Sequence, residues 1–336
     1  LNGLDAGIIK EIIAKAMEGA ELAAEEIIKL FSVPAVSEES YSIQYAARKM
    51  SEAASHGRAE VHAQVGINVA PCPKNCAFCS FAARNRIFRH HKTLTPETVI
   101  EQCLRFEQDG ANAIYLMATA NFDLAEYLAV GRQVRAALQP DSILIANIGD
   151  FDGEGAAALR EAGFTGIYHA VRLGEGAVTG IEPKERWRTI RAAKKAGLLV
   201  GTCVEPVGPE HSLEELAEKT LLTREMQPVF SGAARRIPIP GTDLAKKGIV
   251  SEARMAHILA VVRLAMGYTV PGNCTHEPNG IGAMAGANLF WAENGSNPRD
   301  VAEQTETGRG CTAEKCQSIL REAGWNNTEG PSQFFR

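Results

Sequence analysis

From residue 61 onward the chain alternates short apolar runs, rich in β-branched residues, with longer amphipathic stretches. This alternation restricts it to folds built from repeated strand–helix units around a parallel sheet. Eight apolar runs are predicted as strands, at 61–69, 113–117, 142–148, 166–171, 198–204, 228–237, 267–271 and 287–290. Between them helices are predicted over 95–109, 124–138, 153–162, 183–196, 213–227 and 251–266. Pro96 and Pro183 stand in first helical turns, where a missing N–H costs nothing, and Gly110, Gly163 and Gly197 follow helix ends as stop signals. Eight units predict an α/β chain folded as a complete (βα)8 TIM-type barrel. Ahead of it, 6–18, 21–30 and 37–56 read as helices, the last with Ser37 and Ser40 offering N-cap chemistry. Behind it come a Gly- and Asn-rich segment (293–310), a short helix (312–323) and a tail ending Pro331-Ser-Gln-Phe-Phe335-Arg. The expected organisation is a helical N-terminal extension (1–60), a barrel (61–292) and a C-terminal segment (293–336) folded over the barrel mouth.

The function classes narrow next. A formal net charge of −5 gives no basic footprint for nucleic acid. No apolar run reaches the roughly 18 residues that a membrane span needs. Eight cysteines without a signal-peptide pattern point to a reducing cytoplasm, where thiols serve metals more often than disulfides. Expected partners therefore include neither nucleic acid nor a membrane.

The chemistry starts at Cys72-Pro-Lys-Asn-Cys76-Ala-Phe-Cys79, three cysteines within eight residues. Structural zinc sites close with four ligands, commonly in two separated pairs, whereas a [4Fe-4S] cluster on three thiolates keeps one iron open. The alternative is a zinc knuckle or a surface redox triad. In a parallel barrel the active site lies at the C-terminal strand ends, and the triad falls in the loop after the first predicted strand.

The spacing C-x3-C-x2-C, with Phe78 just before the third cysteine, resembles the signature of radical S-adenosylmethionine (radical SAM) enzymes. Together with the N-terminal helices, the eight strands, Pro240-Gly-Thr-Asp-Leu-Ala245 and Met284-Ala-Gly-Ala-Asn288, it resembles the biotin-synthase branch over roughly residues 20–325. That branch includes biotin synthase, split lipoyl synthases, the [FeFe]-hydrogenase maturase and methylornithine synthase. The resemblance implies a [4Fe-4S] cluster on Cys72, Cys76 and Cys79, with SAM on its open iron and one-electron cleavage to a 5′-deoxyadenosyl radical. It also implies SAM contacts from Phe78 (adenine), the backbone at Ala118 and Thr119 (methionyl amine), Glu175 (ribose) and Arg186 (carboxylate). For Glu175 and Arg186 an ordinary solvated surface role stays open. A flavodoxin- or ferredoxin-type electron donor is implied as well, as is a small-molecule substrate or a lipoyl-type carrier protein. A homodimer or a partner radical SAM subunit is a further expectation.

The chain departs from biotin synthase at two places. Tyr168-His-Ala-Val-Arg172 replaces an Asn-x-Asn motif, and strands two and three lack auxiliary-cluster cysteines, reading Tyr115-Leu-Met-Ala and Leu144-Ile-Ala-Asn. Cys274 at the seventh strand's end, with Cys311 and Cys316 at the C-terminal helix, is the expected replacement ligand set for an auxiliary Fe–S cluster, the alternative being that Cys316 is core packing and Cys274 an ordinary buried thiol. Cys103 and Cys203 read as packing. His169, Arg172, Glu205, Arg235 and His276, at strand ends, are the expected substrate-facing residues, although His169 fits equally as a core histidine. Sulfur insertion into an aliphatic C–H bond is the leading expectation. A radical rearrangement or lyase reaction on an amino-acid-like substrate is the alternative, and a non-catalytic Fe–S electron-transfer module is a third.

Overall fold

A computed structural model describes residues 6–336. Eight parallel strands close on themselves: β1 (Arg58–Gly66), β2 (Ala113–Met117), β3 (Ile143–Asn147), β4 (Gly166–Tyr168), β5 (Leu199–Gly201), β6 (Phe230–Arg235), β7 (Gly272–Cys274) and β8 (Leu289–Gly295). Each pairs with the next, β5 being prolonged by Val204–Val207 alongside β6, and β8 returns to β1 with Glu60 opposite Leu289 and Gly66 opposite Gly295. The chain therefore forms the expected (βα)8 barrel.

The helices begin where their caps dictate. Among α1 (Ala6–Met17), α2 (Ala24–Ser32), α3 (Glu38–Ala54), α4 (Pro96–Gln108), α5 (Leu124–Ala137), α6 (Gly153–Glu161), α7 (Pro183–Lys195), α8 (Leu213–Glu225) and α9 (Glu252–Met266), side-chain N-caps come from Ser37, Thr95, Asp123, Asp152, Ser212 and Ser251. At α8 the cap is reciprocal, with Glu215 accepting the Ser212 N–H. Two short helices, α10 (Gly280–Met284) and α11 (Ala313–Glu322), complete the set.

Strand alternation separates two cores. Val61, Ala63 and Val65 of β1 face outward into the layer between strands and helices, which also takes in α1–α3. Tyr115, Ile145, Phe230, Leu289 and Trp291 fill the barrel interior. The N-terminal helices lock onto α9 through His257, whose Nε2–H donates to the Leu30 carbonyl at 2.9 Å while Nδ1 accepts from the Ser40 hydroxyl at 2.8 Å.

Two expectations are corrected. The seventh strand lies at Gly272–Cys274, not 267–271: Gly267, at φ +67°, ends α9, and Pro271 has no N–H for a ladder, so pairing starts one residue later. The C-terminal segment also splits. Residues 293–310 reach the barrel mouth, but the final tail does not cover it. Ser332 and Gln333 bond to Glu60, near the start of β1, and Phe334 and Phe335 enter the barrel from the opposite end. Glycine makes room for them there: a Cβ on Gly166 would stand 2.8 Å from Phe335, and one on Gly272 would stand 2.9 Å from Phe334.

Candidate active site

The loop after β1 is anchored at its base by Asn68–Val69, which pairs antiparallel with Lys92–Thr93. Within it the Cys72 N–H bonds to the Phe81 carbonyl at 2.7 Å, and the Cys72 carbonyl accepts from Ala83 at 3.0 Å. The Cys79 N–H bonds to the Cys76 carbonyl at 3.1 Å. Asn75 takes a left-handed turn at φ +50°, and its side chain accepts the Arg84 N–H. Two distant segments clamp this loop. The loop after β4 gives Gly180 N–H to Lys74 O at 2.6 Å, an approach so close that a Cβ on Gly180 would lie 2.8 Å from that oxygen. From the segment after β8, the Pro298 carbonyl accepts both the Ser80 N–H and its hydroxyl at 3.0 Å.

All three cysteines line one cavity of about 180 Å³ at the C-terminal strand ends. Phe78, Ala118, Thr119 and Arg186 line it too. Thr119 is fixed by Asn68, which accepts its N–H and donates to its hydroxyl, both at 2.9 Å. Burial pushes the Cys76 thiol up and Cys79 up to about 12, the adjacent cysteines adding to both. Three soft sulfur donors on one wall, with no carboxylate or imidazole among them, fit an Fe–S cluster held by thiolates.

On the facing wall Arg186, at the start of α7, meets Asp150 from the end of β3 at 3.2 Å and lies 3.6 Å from Glu175. Asp150 also bonds to His169 at 2.9 Å and accepts the Thr189 hydroxyl at 3.0 Å. Burial works to raise the Asp150 carboxyl, but its bond to His169 and the charges of His169 and Arg186 hold it well below the ordinary range. Burial, with the Arg186 charge beside it, lowers His169 to about 4, so its imidazole is neutral near pH 7. Glu175 accepts the Arg172 N–H and the Thr179 hydroxyl, both at 2.8 Å, and so organises its own loop.

Arg172, Glu205, Arg235 and His276 stand around the same cavity. Arg172 lies 3.5 Å from Glu205, whose other oxygen lies 3.6 Å from His276. His276 bonds to the Tyr168 hydroxyl at 3.2 Å and stacks on Trp291 at 5.1 Å between centroids. Arg235 pairs with Glu277.

The expected auxiliary set is not brought together. Cys274 points into the barrel interior and is joined there to Cys203 as a disulfide. Cys316, on α11, lies in the outer layer, its thiol donating to the Trp291 carbonyl at 3.4 Å, with Cys311 beside it. The strand wall comes between, because outward and inward residues of a strand cannot share a ligand. Cys203 is thus more than packing.

One residue absent from the sequence expectations is Arg299. It lines the cavity, and all three of its guanidinium nitrogens are buried without a hydrogen-bond partner. It sits in the polar 293–310 segment, where composition alone suggests a surface loop. The cue available in the sequence was its place in the segment that follows the last strand, which leads to the mouth.

A model of the radical SAM superfamily matches residues 71–221. Biotin synthase from Carboxydothermus hydrogenoformans is 24% identical over 279 residues, covering 78% of this chain and 79% of that protein. Biotin synthase from Nitratidesulfovibrio vulgaris is 26% identical over 207 residues, 57% of this chain and 55% of that protein. The crystal structure of methylornithine synthase aligns at TM-score 0.78 and 18% identity over 96% of this chain and 98% of that one. The [FeFe]-hydrogenase maturase from Carboxydothermus hydrogenoformans aligns at TM-score 0.78 and 18% identity, over 98% of this chain and 80% of that one. At such identity the structural matches speak to the fold. No described helix is long and apolar enough to cross a membrane.

Proposed function

We propose that this chain is a radical SAM enzyme of a branch like that of biotin synthase and abstracts hydrogen from a small anionic substrate held at the barrel mouth. The observation that carries the substrate class is Arg299. A buried guanidinium with no partner costs several kcal/mol unless a ligand neutralises it, and its planar fork suits a carboxylate or phosphate. Arg172, Arg186 and Arg235 already face carboxylates of this chain, so the unmet charge lies at Arg299.

Cys72, Cys76 and Cys79 are the residues that would hold the [4Fe-4S] cluster, and Phe78, Ala118, Thr119 and Arg186 the ones that would meet SAM. When bound, the two supply one-electron cleavage of SAM, with reducing equivalents from a flavodoxin- or ferredoxin-type donor, and a carbon radical able to take hydrogen. The chain's own part is positioning. Asp150 and Glu175 fix Arg186, Asn68 fixes Thr119, and Pro298 and Gly180 clamp the cysteine loop from two sides.

The test is anaerobic reconstitution followed by mass spectrometry of 5′-deoxyadenosine made in the presence of deuterated candidates, including an amino acid, dethiobiotin and an octanoylated carrier protein. Deuterium arriving in 5′-deoxyadenosine identifies the substrate. Failure of the reduced, reconstituted protein to cleave SAM at all overturns the reading in favour of an electron-transfer module.

Sulfur insertion is a second reading, favoured by the biotin synthase relatives. It calls for a second sulfur-bearing centre, and the separation of Cys274 from Cys311 and Cys316 removes the ligand set expected for it. Rearrangement or lyase chemistry on an amino-acid-like substrate needs no such centre. Iron content separates the two, since about four irons per chain fit a lone cluster and about eight fit two.

A further inference from the structure

Beneath the cavity floor, inside the barrel, Cys203 and Cys274 come from strands five and seven, 71 residues apart in sequence. Both are fully buried among Tyr168, Phe230, Leu289 and Trp291. A ring nitrogen of His276 joins them, and the three ligand atoms lie within 4.8 Å of one another. No other group of three histidine, cysteine or acidic side chains among the described residues converges so closely.

The backbone argues against a cross-link as the purpose of this pair. The Cα atoms of Cys203 and Cys274 stand 7.4 Å apart, whereas disulfides usually span about 4.4–6.8 Å. Two thiolates on a shared ion, each with a metal–sulfur bond of about 2.3 Å, reach farther. The donor set is also the right kind: two thiolates and an imidazole suit borderline-soft divalent ions, and three protein ligands leave a fourth position free. That position has an outlet. His276 borders the cavity, with Glu205 3.6 Å and the Tyr168 hydroxyl 3.2 Å from its Nε2.

We propose that Cys203, Cys274 and His276 form a second metal centre, distinct from the triad, which in the reduced protein holds one thiophilic divalent ion of the zinc or ferrous class with a coordination position open to the substrate cavity. Forming it from the cross-linked pair takes two electrons and two protons from a dithiol, which breaks the S–S bond and leaves two thiols. Binding the ion then releases their protons. The proposal does not depend on the radical chemistry of the triad, and its test uses neither SAM nor substrate.

The experiment is anaerobic titration of the dithiol-reduced, metal-stripped full-length chain with Co²⁺, in a background where Cys72, Cys76 and Cys79 are all alanine. One equivalent is expected, with a thiolate-to-cobalt charge-transfer band in the near ultraviolet, displaced by Zn²⁺. Cys203→Ser or Cys274→Ser should each abolish the band, and His276→Gln should weaken binding at least tenfold. If circular dichroism shows that the triple-alanine background is unfolded, total metal is instead compared between the reconstituted wild-type holoenzyme and its Cys203→Ser variant, with a loss of one equivalent expected. No stoichiometric binding in a folded background, or binding indifferent to Cys203→Ser, overturns the proposal. A wild-type chain that binds this ion yet never cleaves SAM would leave the centre standing and remove the proposed reaction.

Discussion

The two ends of the barrel are made from the same eight strands and solve opposite problems. At the N-terminal end a buried charge is fully answered. Glu60 accepts from the Ser332 hydroxyl and the Gln333 N–H and contacts His62 Nε2 at 2.8 Å, while His62 Nδ1 reaches the Tyr115 hydroxyl at 2.9 Å. Phe334 and Phe335 fill the remaining space. At the C-terminal end, Arg299 has three guanidinium nitrogens without partners. The buried carboxylate at one end has its donors within the chain, and the buried guanidinium at the other has no acceptor there. That is the division expected of a parallel barrel, with stability built at one face and chemistry at the other.

The comparison breaks most sharply at the cysteines. Cys72→Ala, Cys76→Ala or Cys79→Ala should each reduce 5′-deoxyadenosine formation to background while leaving the circular dichroism spectrum unchanged, because each removes one of only three thiolates. Full product from any one of them would refute the cluster assignment. At the other end the effects should reverse. Phe335→Ala opens a cavity at the barrel floor and should cost about 3–5 kcal/mol in urea unfolding, with SAM cleavage at saturation unaltered. A loss under 1 kcal/mol would show that the tail merely rests on the barrel.

Acid should act on the C-terminal end of the barrel and on the outer helical layer at once. Burial lowers His169 and His257 to about 4, with Arg186 and Arg254 respectively adding to the effect. A histidine in the unfolded chain titrates near 6.5. Because the folded values lie below the unfolded one, the unfolded chain takes up protons first as pH falls. Stability should therefore be full above about pH 6.5 and decline by a few kcal/mol toward pH 4. Urea midpoints at pH 7.0, 5.5 and 4.5 would reveal this, and a flat profile would mean that the two imidazoles are not held neutral.

The smallest expected effect is the most discriminating. Arg299→Ala should leave stability unchanged or raise it by about 1 kcal/mol, since it removes a buried charge and strands no partner. The same variant should raise the substrate KM. A clear fall in thermal stability would assign Arg299 to the scaffold instead.

Local chemistry was legible in the sequence and non-local chemistry was not. Pro96, Pro183, Ser37 with Ser40, and the period of the apolar runs each act within a few residues, so strand and helix order could be read directly. The triad was legible because its ligands lie within eight residues. Cys203 and Cys274, by contrast, meet only because strands five and seven curve around one axis, and nothing in either neighbourhood tells which face of its strand each occupies. Placing Cys274 with Cys311 and Cys316 failed on that point. The Phe334–Phe335 pair in a polar tail was a visible oddity, but its partners Gly166 and Gly272 lie far back in the chain. Arg299 was hidden by the composition of its segment.

The clamp between Ser80 and the Pro298 carbonyl joins residues 218 positions apart. During synthesis on the ribosome the cysteine loop therefore emerges long before the residue that pins it. Until β8 has been made and has closed against β1, Ser80 lacks its acceptor and the triad lies in a loop held from one side at most. Iron delivered at that stage would meet three thiols not yet fixed in place. The contact thus predicts an order for maturation, in which the barrel closes before the three cysteines can act together as a receptacle.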